Sequence, residues 1–378
     1  MDISLNLIWK NKGAVMFVTD KLRLRKSVGI VVIDNIVEFF LANIRESVKL
    51  EINFPNIVEF LGNFDGLSSI EQISSKYNNI DLSQLLKLVE VLYDNFILIK
   101  QDDFYSNIEF NNHHRLINVL EDYFHSVSGV LKAIEKLNTS KVMIIGLGAV
   151  GSHIAKDLVK SGVGEFIFVD DDIVDISNLH RQNYIENNVG KSKALSLKES
   201  LEEISTSLNI EIINAKLSTG FFNENIFTDN ISLIINCADE PNVDFTSEII
   251  SKYAMKKNIP HIVGGGYNLH LTLIGQSIIP YQTACFQCFK HFLKKINSSE
   301  LENVRKLHRE SRKLGSFSPL SGIAANLASL DAFKILIGKF EYLNQSNKRI
   351  EFNMRTLSFK TMEVKKYDNC EWCGQNGR

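Results

Sequence analysis

Two features of the chain carry residues able to do chemistry. The first is a glycine loop, Gly146-Leu147-Gly148-Ala149-Val150-Gly151. It follows the apolar run Lys141-Val142-Met143-Ile144-Ile145 and precedes an amphipathic stretch, residues 152–160. That pattern predicts a buried parallel strand, a tight turn and a helix. Glycines there let the backbone approach phosphates, and the helix start offers unpaired N–H groups at the positive end of its dipole. Nineteen residues after Gly151, a second apolar run (Glu165-Phe166-Ile167-Phe168-Val169) ends in Asp170, a carboxylate suited to ribose hydroxyls. A nucleotide follows from this pattern but its kind does not, because an NAD or FAD oxidoreductase carries the same fingerprint. The second feature is a pair of Cys-x-x-Cys knuckles, Cys285/Cys288 and Cys370/Cys373, separated by 81 residues. Four thiolates suit a closed tetrahedral zinc site, structural because no ligand position stays open.

The run after Asp170 narrows the nucleotide. Asp170-Asp171-Asp172-Ile173-Val174-Asp175-Ile176-Ser177-Asn178-Leu179-His180-Arg181-Gln182 resembles the D-x-D-x-V-x-x-S-N-L-x-R-Q signature of the E1-like (ThiF/MoeB/HesA) adenylating superfamily. Val189-Gly190-Lys191-Ser192-Lys193 resembles the V-G-x-x-K of that family, and Asn236-Cys237-Ala238-Asp239 ends a strand where the family places a metal-binding Asp. The resemblance covers roughly residues 115–378. It implies an ATP site made of Gly146, Gly148, Gly151, Asp170, Asp172, Ser177, Asn178, Arg181, Gln182, Lys193 and Asp239. Asp170 would hold the ribose, while Asn178, Arg181 and Lys193 would grip the phosphates. Asp239 would bind Mg²⁺, and Arg181, Lys193 and Asp239 would carry catalysis. Ala149 departs from the central glycine common in the family loop and should be tolerated.

Those residue types fit the chemistry that the resemblance implies. In adenylation a carboxylate oxygen attacks the α-phosphate of ATP and pyrophosphate leaves. Both reactants are anionic, so the site must neutralise charge and hold the attack in line. The family also implies a homodimer, and Arg115 is the candidate for an arginine given in trans. The double cysteine pair occurs at the same place in the family. No cysteine lies in residues 289–322, where sulfur-carrier and ubiquitin-activating members commonly use one for a thioester or persulfide. The fifth cysteine, Cys237, sits in an apolar run and reads as core.

The segments that position these residues divide at about residue 110. Residues 111–378 read as the α/β, Rossmann-like adenylation domain, with strand, loop and helix repeating from Lys141. Residues 1–110 read as a small winged-helix-like α+β domain. Early β-branched runs give way to a turn at Asp65-Gly66-Leu67, a helix over 69–77, a helix over 81–95 capped by Asp81, and a strand over 96–99. Residues 105–112 read as a linker, and a helix bearing Leu116, Val119, Leu120, Tyr123 and Phe124 follows. Residues 61–103 hold seven acidic side chains against three lysines, which argues against DNA and favours peptide capture along a strand edge.

The formal net charge of −2 gives no reason to expect nucleic acid or an anionic membrane as partner. No apolar run of about 18 residues and no signal-like start are present, so a cytoplasmic protein is the expectation. The segments Phe317-Ser318-Pro319-Leu320, 322–328, 331–334 and 347–350 resemble the MccB-type (microcin C) branch, with PaaA-type (pantocin) enzymes as relatives. That resemblance implies ATP-dependent adenylation of a carboxylate, C-terminal or side-chain, on a ribosomally made precursor peptide. The competing expectations are activation of a ubiquitin-like sulfur carrier and a non-catalytic leader-peptide binder.

Overall fold

The structure, a computed structural model, describes residues 2–4, 16–54, 56–77, 80–225, 227, 230–263, 266–268, 271–300 and 315–374. Two compact units divide the chain, residues 1–135 and 136–378. Among the described residues no helix is long and apolar enough to cross a membrane.

The N-terminal unit begins with β1 (Asp2–Ser4), β2 (Lys21–Leu24), β3 (Val28–Ile33), β4 (Ile36–Leu41), β5 (Glu46–Asn53) and α1 (Ile57–Gly62). It continues through β6 (Asp65–Ser69), α2 (Ile70–Ser75), α3 (Leu82–Asp94), β7 (Leu98–Lys100), α4 (Asn107–Leu120) and α5 (Val127–Thr139). One antiparallel sheet has the order β1-β5-β4-β3 and a second has β6-β2-β7. Alternation sets the faces of the first sheet: Val37, Phe39, Leu50 and Ile52 point into the core with α1 and α3, while Val31, Ile33, Ile36 and Phe40 stay exposed. Ser69 caps α2 in a reciprocal box with Gln72.

Three local readings change. Asp65-Gly66-Leu67 is a turn folded into the start of β6: Asp65 Oδ1 accepts the N–H groups of Leu67 (2.7 Å) and Ser68 (3.0 Å) while the backbone pairs with β2. Residues 105–112 are not an open linker, because α4 starts at Asn107 and is kinked at His113. The compact unit also runs on to residue 135 rather than stopping at 110. Buried Arg25 explains the extension, since it bonds Phe96 O (2.7 Å) and pairs with Asp122, while Arg23 and Tyr105 both reach Glu121. A buried guanidinium needs a charged partner, and Asp122 lies beyond residue 110.

The C-terminal unit contains β8 (Lys141–Ile145), α6 (Gly151–Lys160), β9 (Glu165–Val169), α7 (Lys193–Glu202), β10 (Asn209–Ile213), α8 (Phe221–Glu224), β11 (Ile231–Asn236) and α9 (Val243–Lys257). Then come β12 (His261–Val263), β13 (Gly266–Asn268), β14 (Leu271–Ile274), β15 (Gln276–Ile278), α10 (Phe286–Glu300), α11 (Ser318–Leu336), β16 (Lys348–Asn353) and β17 (Ser358–Glu363). The main sheet has the order β10-β9-β8-β11-β12-β15, parallel except for β15. Strand order reverses between β8 and β11, so a crevice opens at their C-terminal ends. This is the expected α/β Rossmann-like fold, with a second antiparallel sheet, β13-β14-β16-β17, added to it.

Candidate active site

The glycine loop leaves β8 at that crevice, and its glycines have different reasons to be there. Gly146 has φ +88, and a Cβ on it would stand 2.6 Å from Ala238 N. A Cβ on Gly151 would stand 2.0 Å from Gly146 O. Both positions are forced by the fold. At Gly148 the nearest atom to an added Cβ is Gln182 Nε2 at 3.9 Å, so only open cavity explains the missing side chain.

The loop carbonyls are turned away from the cavity and held. Tyr184 OH donates to Leu147 O (2.7 Å), Ser152 Oγ to Gly148 O (2.7 Å), and His153 Nδ1 lies 2.7 Å from Ala149 O. Among the described residues, the N–H groups of Gly148, Ala149 and Val150 have no protein acceptor. Unpaired N–H groups at the start of a helix are suited to hold an anion. Asp170 braces the loop: its Oδ2 accepts Leu147 N–H (2.6 Å) and its Oδ1 accepts Asp172 N–H (2.9 Å). Burial raises the Asp170 pKa, and these two N–H bonds work against that rise.

A cavity of about 520 Å³ opens beside the glycine loop. It brings together Gly146, Gly148, Asp170, Asp172, Asn178, Arg181, Gln182, Lys193 and Asp239. Gly151 and Ser177 stand behind this wall. Gly151 starts α6, and the Ser177 carbonyl accepts from Arg181 Nη1 (2.9 Å). Asp175 fixes Asn178, whose Oδ1 accepts Asp175 N–H (3.0 Å) and whose amide N–H₂ is left for the cavity. Lys193 is buried and its Nζ lies 2.7 Å from Asp172 Oδ2, while Asp172 is 66% exposed. Arg115 belongs to the N-terminal unit, exposed on α4, whereas every residue lining the cavity belongs to the C-terminal unit.

The four knuckle cysteines also converge. Their Sγ atoms lie within 4.8 Å of one another, with separations of 3.5 Å (Cys285–Cys370 and Cys288–Cys373) and 3.9 Å (Cys285–Cys288). None of the four is in a disulfide. Tetrahedral Zn–S bonds of about 2.3 Å put neighbouring sulfurs about 3.8 Å apart, so the quartet fits zinc.

A model of the ThiF family matches residues 124–373. The adenylyltransferase and sulfurtransferase UBA4 of Meyerozyma guilliermondii is 30% identical over 64% of this chain and 53% of its own length. The molybdopterin-synthase adenylyltransferase of Escherichia coli is 27% identical over 64% of this chain and 90% of its own. The chain spans about half the length of the first curated relatives it matches. The chain belongs to the ThiF family.

Within the E1-like superfamily, solved structures share its fold. E. coli MccB with ATP superposes with a TM-score of 0.73 at 24% identity, covering 93% of this chain and 99% of the other. The selenomethionine form of PaaA gives 0.67 at 21%, covering 90% of this chain and all of PaaA. At such identities the likeness is one of fold.

The ThiF-family signature did not point to several residues that the cavity needs. Tyr184, Ser152 and His153 hold the loop carbonyls, and nothing in their sequence context marks them. Buried Asn236 donates to Thr246 Oγ1 (3.0 Å) and Ser247 Oγ (3.1 Å) and accepts Ala238 N–H (3.1 Å), which fixes the turn carrying Asp239. Lys216 and Glu240 also line the cavity. Burial pushes the Cys237 thiol up to about 12, which favours its protonated form at neutral pH.

Proposed function

We propose that this ThiF-family chain uses ATP and Mg²⁺ to adenylate a carboxylate of a ribosomally made precursor peptide, without a cysteine thioester step. The observation that carries the reading is one cavity bringing the glycine loop, Asn178, Arg181, Lys193 and Asp239 together. A substrate carboxylate oxygen bonds to the α-phosphorus of ATP, the bond to pyrophosphate breaks, and an acyl-adenylate results. The loop N–H groups and Asn178 hold phosphate oxygens. Arg181 and Lys193 offset the charge that gathers as pyrophosphate departs. Lys193 is buried, so an incoming phosphate oxygen would have to join or replace exposed Asp172 as the partner of its ammonium. Asp239 would hold Mg²⁺, which would supply further positive charge against the phosphates. Zinc held by Cys285, Cys288, Cys370 and Cys373 would be structural.

The N-terminal, winged-helix-like unit is proposed to capture the peptide. Edge strand β3 supports this, because it presents exposed Val31 and Ile33 beside Ile36 and Phe40 of β4. An extended chain can pair with such an edge and seat alternate apolar side chains. Arg115 remains a candidate for donation in trans within a homodimer.

The test is peptide-dependent ATP–pyrophosphate exchange, with Asp239→Ala as control. Exchange should appear with a short precursor peptide encoded nearby and vanish in the variant. The second reading, activation of a ubiquitin-like sulfur carrier, draws on the relatives' names. It wins if exchange needs a ubiquitin-like protein and no peptide supports it.

A further inference from the structure

Lys216 and Glu240 come from opposite sides of the cavity. Lys216 follows β10 and Glu240 follows β11, and β9 and β8 lie between those strands in the sheet. Three strand spacings separate β10 from β11 by about 14 Å. Yet Lys216 Nζ donates to Glu240 Oε2 at 2.5 Å. The two side chains are 59% and 74% exposed and both residues line the cavity, so their joined heads lie at its mouth. Beneath them are Asp170 at the end of β9 and the glycine loop at the end of β8. Flanking Lys216, Ala215 and Leu217 add apolar lining on the same side.

We propose that Lys216 and Glu240 form an ion-pair strap across the nucleotide cavity, opening to admit the nucleotide and closing again to slow its release. The proposal rests on the cavity being the nucleotide site. An exposed pair is weak, and that suits a strap, which must open at every turnover. Glu240 first, and then Asp171 and Asp172, favour the charged form of Lys216. Glu240 next to Asp239 would otherwise add a fifth acidic group facing an anionic ligand. Pairing with Lys216 cancels that charge, so the strap also limits repulsion at the mouth.

The experiment follows the release of a fluorescent ATP analogue, with Mg²⁺, by stopped flow from the full chain. Lys216→Gln and Glu240→Gln should each speed release about two- to fivefold, the range a weak exposed pair can supply. The swapped double variant, K216E with E240K, should return release close to the wild-type rate. High salt should speed release from the wild type more than from either single variant, since only the wild type has the strap to screen. Thermal unfolding checks that all variants fold as the wild type does. If Lys216 instead gripped phosphate directly, Lys216→Gln would speed release, Glu240→Gln would slow it, and the swap would be worst; that pattern overturns the strap. Unchanged release in both single variants overturns it as well. No binding of the analogue by the wild type would instead remove the nucleotide reading itself.

Discussion

The nucleotide cavity and the cysteine quartet are each assembled from segments far apart in the chain, and they treat their polar atoms in opposite ways. Around the quartet, Cys285, Cys288 and Cys373 are buried against Met255, Val263, Phe286 and Val364, and the sulfurs face one another. Around the cavity, Lys193 and Lys216 sit in pairs with solvated carboxylates, and three backbone N–H groups have no acceptor among the described residues. A closed set of ligands holds the chain together, whereas a set with exchangeable partners can accept and release a substrate. Val263, on β12, belongs to both regions, lining the cavity and packing in the cysteine cluster. A loss at the quartet should therefore be felt at the cavity, and the reverse should not hold.

That asymmetry is broken most directly at the quartet, which is proposed to hold zinc. Purified protein should contain about one zinc per chain by atomic emission. Cys373→Ser should lose the zinc, lower the melting temperature sharply and abolish exchange, because the ligand set contributes folding energy outright. Zinc-free protein of unchanged melting temperature would end the structural reading of the quartet. Next in size is Asp239→Ala, which should reduce exchange by about 100-fold or more while leaving the melting temperature within a degree or two. Asp239 is exposed. A large drop in stability would move it from the cavity's class into the quartet's.

The sequence carried the cavity further than it carried the units. Strands β8 and β9 begin and end where the apolar runs do, since a fully buried parallel strand leaves a continuous hydrophobic signature. The glycine loop and Asp170 were legible because each follows such a strand directly, Lys193 through the resemblance of its run to the family's V-G-x-x-K, and the cysteine knuckles through their own paired spacing. Arg25 and Arg23 were not legible as organisers of the N-terminal unit. Their partners Glu121 and Asp122 lie almost a hundred residues on, and no local pattern links them. The same is true of Lys216 and Glu240, ordinary surface charges in sequence that the sheet order brings across the cavity. Tyr184 as the anchor of Leu147 O belongs to the same class of long-range fact.

His261 tests the shared wall between the two regions. It lies on β12, fully buried, with Nδ1 3.0 Å from Ile259 O and Nε2 3.1 Å from Ser251 Oγ. With Nδ1–H donating to the carbonyl, Nε2 accepts from the serine, so the neutral ring is satisfied. Burial lowers its pKa to about 4. The unfolded chain takes up this proton near pH 6.5 and the folded chain does not until about 4. Stability from this group is therefore full above about 6.5 and is lost progressively as pH falls toward 4, by about 3 kcal/mol in all. His261→Gln should flatten that part of the stability–pH curve measured by urea unfolding. An unchanged slope would show that another group is responsible.

The smallest effect sharpens the comparison most, because it lies within a single loop. Gly146→Ala places a Cβ 2.6 Å from Ala238 N at a φ of +88, and Gly151→Ala places one 2.0 Å from Gly146 O. Both should behave like damage to the quartet, losing stability and activity together. Gly148→Ala meets nothing closer than 3.9 Å, so the free protein should fold and melt as the wild type does. What it changes is the space into which a phosphate must come to reach the N–H groups of Gly148, Ala149 and Val150. One methyl group there should weaken nucleotide binding by roughly tenfold, through hydrogen bonds lengthened or lost. Calorimetric titration of the two variants side by side separates the cases. Equal loss of stability at positions 148 and 146 would mean that the whole loop is structural, and the cavity would then have no part reserved for its ligand.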